Sequence, residues 1–305
     1  MKTRYTCFLL FVLMFGQHLT KAQTPTDAFI MQKGQICAAL PYQHESWNKY
    51  WEGTLFRENK NLGTVTSQTI MPMFALGIHN RLNIIASLPY INREASAGTL
   101  KGESGFQDLS VWLKALLFSY KAGDKHSLDV MASAGFTAPV GGYYADYLPL
   151  SLGMGVNVFN TRLILNYRHN SGLFASVMGG YDFRSNLTTD RTNYFIDQHY
   201  LTNELYMPNV MFAGFTAGFN NELTKVELRY NLMNTNGGFD IRRNDMPFPS
   251  NNMDMGRVEF LYQQRMPFYK PLGIMLTAGY TTSGRNVGKS TSFGAGIVYL
   301  ANLWN

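Results

Sequence analysis

The sequence has few charged residues, little cysteine and no long apolar run beyond its first 22 residues. Charged residues make up 15% of the chain, against ~25% in soluble globular domains. Of the two cysteines, Cys7 lies in the N-terminal segment, so Cys37 has no internal disulfide partner once that segment is removed. The apolar stretch 70–78 has nine residues, about half of the ~20 that a membrane-crossing helix needs. These absences exclude a helical membrane protein and a disulfide-stabilised secreted domain.

Motifs of the common enzyme classes are also missing. The chain has no GxSxG, HExxH, CxxC or phosphate-binding glycine loop. Five histidines follow the N-terminal segment, all in predicted turns, loops or strand ends and without metal-ligand spacing: His44, His79, His126, His169 and His199. The sequence therefore predicts no catalytic residues, no cofactor and no metal site.

Residues 1–22 have the three-part layout of a secretory signal peptide. Lys2 and Arg4 precede the apolar run 8–15, and residues 20–22 end in a small residue. A retained membrane anchor is the alternative, but the run is too short to span a bilayer. The segment carries three cations and no acid, so its removal lowers the formal charge from +6 to +3. The basic charge is thus weak support for nucleic acid, which we do not expect as a partner.

The chain that follows alternates polar and apolar residues with a period of two, as β-strands do. In residues 224–232, Val226, Leu228, Tyr230 and Leu232 share one face, while Lys225, Glu227, Arg229 and Asn231 share the other. Pro72 falls inside one such segment and predicts a β-bulge there. Twelve segments alternate in this way: 33–42, 64–78, 82–92, 106–120, 127–139, 153–168, 172–185, 207–219, 223–233, 256–266, 272–283 and 291–303.

The connections between these segments are alternately short and mostly longer. A barrel with both termini in the periplasm has this arrangement, with short periplasmic turns and long outer loops. The sequence therefore predicts an all-β fold: a transmembrane antiparallel up-and-down β-barrel of about twelve strands in the bacterial outer membrane. Residues 23–305 form its single domain. A soluble β-sandwich or jelly roll is the alternative, but segments of 11–16 residues exceed the ~5–6 of ordinary strands.

The charged residues on the polar faces of the strands are the candidate lumen-lining residues. One interpretation is a pore lining that selects solutes by charge. The other is a lattice of salt bridges that fills a closed barrel, and twelve strands lie between filled and open sizes. These residues are Asp108, Lys114, Asp129, Arg162, Arg168, Asp182, Arg184, Lys225, Glu227, Arg229, Arg257, Glu259 and Arg265.

Several segments resemble a family of outer-membrane proteins named for the meta-pathway of phenol degradation. Residues 105–114 (GFQDLSVWLK) are similar to its G-x-x-D-L-x-x-x-x-K strand, and 136–141 (FTAPVG) to the P-x-G strand end that follows. Residues 152–155 and 179–184 continue the order, and the resemblance covers about residues 60–300. It implies a transporter-like barrel for small molecules, with hydrophobic ones as a candidate class. Trp304 resembles the aromatic end that barrels show to their assembly machinery, although Asn305 follows it.

Three functions are consistent with these observations. The first is a channel or transporter for an unknown small-molecule solute, and residues 23–32 are long enough to act as a small stopper in its lumen. The second is a non-transport barrel, structural or accessory, that binds a partner through loops 186–206 and 234–255. The third, an enzyme acting on lipid, is the weakest because a catalytic triad is missing. Outer-membrane lipid and the barrel assembly machinery are the expected partners in every case.

Overall fold

Twelve antiparallel strands form a closed barrel in the computed structural model, which describes residues 23–196, 198–242 and 245–303. Each strand pairs with its neighbours in the chain, and β1 pairs with β12 from Gln35↔Asn302 to Ser46↔Thr291 to close the wall. The expected fold is thereby confirmed. The strands are β1 (Gln35–Trp47), β2 (Val65–Ile70 and Met73–His79), β3 (Leu82–Ser87 and Tyr90–Ala95), β4 (Glu103–Phe106 and Leu109–Ala122), β5 (His126–Ala138), β6 (Val158–His169), β7 (Leu173–Arg184), β8 (Asn209–Asn220), β9 (Thr224–Asn236), β10 (Asp254–Met266), β11 (Tyr269–Arg285) and β12 (Thr291–Asn302).

The connections follow the expected parity. Short turns join β2–β3, β4–β5, β6–β7, β8–β9 and β10–β11 at one end of the barrel. The long loops at the other end contain small hairpins (Lys49–Glu52 with Leu55–Glu58, Leu187–Thr188 with Glu204–Leu205, Tyr194–Phe195 with His199–Tyr200) and one 3₁₀ turn, Ala145–Tyr147. Within the described residues no helix is long and apolar enough to cross a membrane. The predicted signal peptide and Trp304 lie outside these residues and stay predictions.

The outer face of the wall is apolar and exposed, the reverse of a water-soluble protein. On β9, Leu228 is 56% exposed, whereas its neighbour Glu227 is 1% exposed. Phe293 and Ile297 on β12 are likewise exposed, with Ser292 buried beside them. A wall with lipid-compatible residues outside and polar residues inside is what a membrane barrel requires. The protein is therefore an outer-membrane β-barrel.

Three adjacent strands are interrupted at the same level of the wall. The breaks fall at residues 71–72 of β2, 88–89 of β3 and 107–108 of β4. Proline lacks an amide N–H and weakens a ladder, and the carbonyls of Pro72 and Pro89 accept from Leu88 N (3.2 Å) and Gln107 N (2.8 Å). The prediction of a bulge at Pro72 is wrong. The pairs before and after Pro72 are separated by three residue steps on β2, and by three steps on both β1 and β3 as well.

The extra residue lies on β4 instead. Ser87 pairs with Ser110 and Tyr90 with Phe106, so four steps on β4 match three on β3. Across this bulge the outward-facing positions change from even-numbered to odd-numbered residues, so Phe106 points outward and is 51% exposed. Beyond it, Glu103–Phe106 pairs with β3 but has no ladder pair with β5 among the described residues. This unpaired edge is called the seam below.

Candidate functional site: the barrel interior

Residues 23–34, which precede β1, lie inside the barrel and are called the N-terminal plug. Gln23, Asp27, Phe29 and Met31 of this segment are each no more than 4% exposed. The segment that the sequence allows to fold into the lumen is therefore found there, and its action as a stopper stays a prediction. A tight turn shapes it, in which Asp27 accepts from Thr24 N (2.6 Å) and Thr24 Oγ1 accepts from Asp27 N (3.1 Å).

A fully buried ion pair anchors the plug to the wall. Lys114 Nζ of β4 lies 2.6 Å from Asp27 Oδ1, and both side chains are 0% exposed. The same ammonium donates to the backbone carbonyls of Thr24 (3.0 Å) and Asp27 (2.5 Å). All three donors of the ammonium are thus used on the plug. A buried lysine with three oxygen acceptors fixes the position of the plug along the barrel.

Uncharged polar side chains of other strands hold the plug by its backbone. Asn83 of β3 accepts from Met31 N (3.2 Å) and donates to Met31 O (3.1 Å). Ser133 of β5 donates to Pro25 O (2.9 Å), and Asn166 of β6 donates to Ala28 O (3.1 Å). These contacts replace the hydrogen bonds that an irregular buried backbone would otherwise lack.

Apolar and aromatic contacts complete the docking of the plug. The rings of Phe29 and Phe174 meet edge to face with centroids 5.1 Å apart, and Lys225 Nζ lies 4.7 Å from the Phe29 centroid. Met31 packs into a wall cluster on five neighbouring strands that is called the apolar patch: Cys37, Ala75, Ile85, Trp112, Val298 and Leu300. The plug therefore covers an apolar area of the interior wall.

Residues 139–157, the loop between β5 and β6, form a second insert and are called the loop insert. Leu150 and Ser151 are 0% exposed. Leu150 packs with Leu62 of the loop between β1 and β2 and with Val65 at the start of β2, and Arg93 of β3 donates to the Ser151 carbonyl. Asp108, at the bulge of β4, accepts from Met154 N (3.1 Å). The loop insert therefore lies across the end of the barrel where the long loops are.

The thirteen charged residues predicted to line the lumen lie on strands whose opposite faces are exposed and apolar. Four ion pairs join neighbouring residues of the wall: Arg162–Asp182 (2.6 Å), Arg168–Asp129 (2.5 Å), Lys225–Glu227 (2.9 Å) and Arg257–Glu259 (3.3 Å). Arg229 also pairs with Glu227, and Arg257 with Glu45 (3.1 Å). Three of these pairs lie within one strand, two join neighbouring strands, and Arg257–Glu45 joins β10 to β1. Both interpretations of these residues stay predictions.

The remaining charged residues bind backbone atoms or the inserts. Arg184 donates to Pro208 O (3.3 Å), and Arg265 donates to Lys270 O (2.8 Å) and Glu222 O (3.0 Å). Lys114 holds the plug and Asp108 the loop insert. The side chains of Arg168 (39%) and Glu259 (36%) retain the largest exposure among those in ion pairs. A role for any of the thirteen in selecting solutes stays a prediction.

Sequence patterns did not identify several residues that hold the inserts. Asn83, Ser133 and Asn166 are uncharged and fit the polar face of any strand, so nothing marks them as plug contacts. Asp27 could have been identified from the sequence. It is the acidic residue of residues 23–34, and a lysine buried in the lumen needs a carboxylate partner. Within the residues described, no group of three or more His, Cys, Asp or Glu side chains could hold a metal ion.

Comparison with known proteins places the barrel among related folds. An outer membrane channel from Pseudomonas putida F1 matches with a TM-score of 0.71 at 13% identity, covering 92% of this chain and 100% of that one. The NanC porin (TM-score 0.46, 12% identity, 85% and 98% covered) and the translocator domain of the autotransporter NalP from Neisseria meningitidis (0.45, 13%, 87% and 87%) are more distant. A search of curated proteins found no match.

A family model matches residues 39–225, which is more than half of the chain, and includes β2 to β8 entire. It also includes the loop insert and the wall residues Asn83, Lys114, Ser133 and Asn166 that hold the plug. The residues that suggested the resemblance, 105–114 and 136–141, fall within it. The chain therefore belongs to the family described as "Putative MetA-pathway of phenol degradation".

Proposed function

We propose that the protein is a channel through which small molecules cross the outer membrane, and that molecules with apolar groups are among them. The observation that carries this proposal is the way the interior is filled. Two chain segments, the plug and the loop insert, occupy it, whereas small filled barrels are packed by side chains of the wall itself. Residues 23–32 of the plug are held mainly by side chains of the wall, so they can leave it without breaking the ladders of the barrel.

The apolar patch supports the second part of the proposal. Cys37 is 3%, Ile85 1% and Val298 0% exposed while Met31 of the plug covers them. Movement of the plug would expose this surface to the lumen. An apolar surface beside charged and amide side chains favours solutes with an apolar body and a polar group.

Deletion of residues 23–32 tests the proposal in planar lipid bilayers. We expect the full chain to conduct little, and the deletion to raise conductance and the liposome permeation of small amphipathic solutes. A variant in which the same ten residues are replaced by Gly and Ser keeps the length but loses the contacts, so it should behave like the deletion. If neither variant conducts or permits permeation, and the full chain retains a stoichiometric protein partner from detergent extracts, the accessory-barrel hypothesis would replace this one.

A further inference from the structure

A cavity of about 360 Å³ lies at the end of the barrel where the short turns are, and it is called the rim cavity. The turn between β4 and β5 and the turn between β6 and β7 both contribute to its lining. The short turns of such a barrel face the periplasm, so the rim cavity is at the end opposite to the outer loops. Its volume falls within the roughly 300–1,000 Å³ typical of small-molecule sites.

Residues from both faces of the wall line the rim cavity. Ser127 pairs with Lys121 on one side and with Arg168 on the other, in a row that points into the barrel. The next residues toward the turn, His169 and Leu173, point outward, and Leu173 is 57% exposed. All five line the cavity. The rim cavity therefore extends over the end of the wall, from the lumen to the lipid-facing side.

The rim cavity carries an excess of positive charge. Lys121, Lys125 and Arg168 line it, and Asp124 is the acid among its lining residues. Neither lysine forms an ion pair with the residues that the structure describes. Asp129 pairs with Arg168 (2.5 Å), so three cations face two carboxylates when this neighbour is included. A concave surface with such an excess attracts anions.

Arg168 keeps a donor for an anion. Its Nη2 atom lies on Asp129, whereas Nη1 is open to solvent and makes no hydrogen bond within the described part of the chain. The side chain as a whole is 39% exposed. Guanidinium and ammonium groups are the side-chain groups that bind phosphate best, because each donates charge-assisted hydrogen bonds to its oxygens.

Two tyrosines of the outer face place the rim cavity at the level of lipid headgroups. Tyr120 and Tyr167 pair with Leu128 from either side, close to the turns, and are 56% and 41% exposed. Tyrosine is enriched at the interface between membrane and water. The phosphates of phospholipids lie at the same interface, and phospholipids form the periplasmic leaflet of an outer membrane. The anion closest to the cavity is therefore a lipid phosphate.

We propose that the rim cavity binds the phosphate group of a phospholipid from the periplasmic leaflet. Lys121, Lys125 and Arg168 contact the phosphate, and an acyl chain runs along Leu173 on the outer face. Basic pockets at the ends of membrane-spanning segments bind lipid headgroups through the same chemistry. Free phosphate esters share that chemistry, so the experiment has to separate the two sources. Binding of the lipid does not require transport and goes beyond the channel function.

Native mass spectrometry of the full chain in detergent tests the proposal with three probes. Dioleoylphosphatidylglycerol has both the phosphate and the acyl chains, dioleoylglycerol lacks the phosphate, and glycerol 3-phosphate lacks the chains. We expect the protein to bind phosphatidylglycerol at least about tenfold more tightly than either of the other two, because only this probe reaches both the cations and the apolar outer face.

Two sets of variants locate the site. Each basic residue near an anionic lipid contributes about fivefold in affinity, so Lys121→Gln combined with Lys125→Gln should weaken phosphatidylglycerol binding about 25-fold and leave dioleoylglycerol binding unchanged. Lys60→Gln combined with Lys101→Gln is the matched control, because it removes the same charge from exposed positions in the outer loops. Leu173→Asn should weaken phosphatidylglycerol binding and leave glycerol 3-phosphate binding unchanged.

Equal affinity for phosphatidylglycerol and dioleoylglycerol would overturn recognition of the phosphate. Parental affinity in the Lys121 and Lys125 double variant, or an equal loss in the control, would place the lipid elsewhere. If glycerol 3-phosphate binds as tightly as phosphatidylglycerol, the lipid source is wrong and the site serves free phosphate esters. Far-UV circular dichroism checks that each variant is folded. Because binding is read without conductance, a barrel that binds the lipid but never conducts would refute the channel proposal alone.

Discussion

The substitution Asp27→Asn should release the N-terminal plug. It leaves the Lys114 ammonium, which is 0% exposed, facing an amide in place of a carboxylate. Removing one partner of a buried ion pair costs about 3–5 kcal/mol, because the remaining charge stays desolvated. At 1.4 kcal/mol per factor of ten, the ratio of docked to undocked plug should fall by roughly 140- to 4,000-fold. The wall strands lose no contact of their own, so the barrel should stay folded.

Cys37 is a native reporter of this release. Its side chain belongs to the apolar patch that Met31 covers, and it is 3% exposed with the plug docked. If undocking and redocking are fast, the rate at which a small methanethiosulfonate modifies Cys37 follows the undocked population. Mass spectrometry of the peptide that contains Cys37 should show labelling about 100-fold faster or more in Asp27→Asn, with conductance rising in parallel.

The controls separate loss of the pair from loss of a charge. Asp124→Asn, in an exposed turn between β4 and β5, should label at the parental rate. Asp27→Asn combined with Lys114→Met removes both charges, so it should label more slowly than Asp27→Asn alone, and the difference measures the coupling of the two residues. Parental labelling and conductance in Asp27→Asn would refute the assignment of this pair as the anchor of the plug.

Two further predictions concern the wall and the loops. A Cβ at Gly135 would lie 2.3 Å from the Trp112 ring, whereas one at Gly179 would meet nothing within 4 Å. Gly135→Ala should therefore lower the free energy of unfolding in urea by about 1–3 kcal/mol, and Gly179→Ala should leave it unchanged. Equal urea midpoints for the two variants would contradict this prediction. Hydrogen bonds from Arg285 hold the pKa of Asp240 below its ordinary value, and Asn286 links Asp240 (2.8 Å) to Gly53 N (2.7 Å). These contacts of Asp240 stabilise the loop fully above the ordinary pKa of an aspartate, and this stabilisation is lost as pH falls through the lowered pKa of Asp240. Hydrogen exchange at the Gly53 amide, corrected for its intrinsic rate, should therefore accelerate only below about pH 4. In Asp240→Asn this amide should already exchange fast at pH 7.

The wall of the barrel was predictable because its signal is local. Alternation along β9 places Lys225 and Glu227 on one face and Leu228 on the other, and no distant residue is needed to see it. The alternation of short and long connections is likewise read directly from the sequence, and it predicted that the short turns lie together at one end of the barrel. Loop 140–152 was correctly expected to be a loop, but its burial depends on Leu62 and Val65, which lie far away in the sequence. The run Leu148–Leu152 carried a signal for it, since three leucines are unusual in an exposed loop.

The interior was less predictable because its contacts join distant residues. The carboxylate of Asp27 and the ammonium of Lys114 are 87 positions apart, and only the closed wall brings them together. The bulge was assigned to Pro72 because proline disturbs a ladder, yet the extra residue lies on β4. Pro72 lies opposite Leu88 and Pro89 opposite Met71, so β2 and β3 are interrupted at the same level and their register does not shift. On β4 the extra residue reverses the face of the strand at residues 107–108, and Phe106 points outward.

The seam limits which loops of this protein can accept inserted residues. Long outer loops of a barrel usually accept insertions, because their backbone lies in water and contacts little. The loop insert does not have this freedom. A Cβ at Gly141 would lie 2.5 Å from the Phe106 carbonyl, and one at Gly105 would lie 2.8 Å from Leu152, so the loop fits closely against a strand edge that the sheet leaves uncovered. Epitope tags should therefore be tolerated in the turn 123–125, at the opposite end, and should damage the protein when placed in residues 141–152, although both are loops.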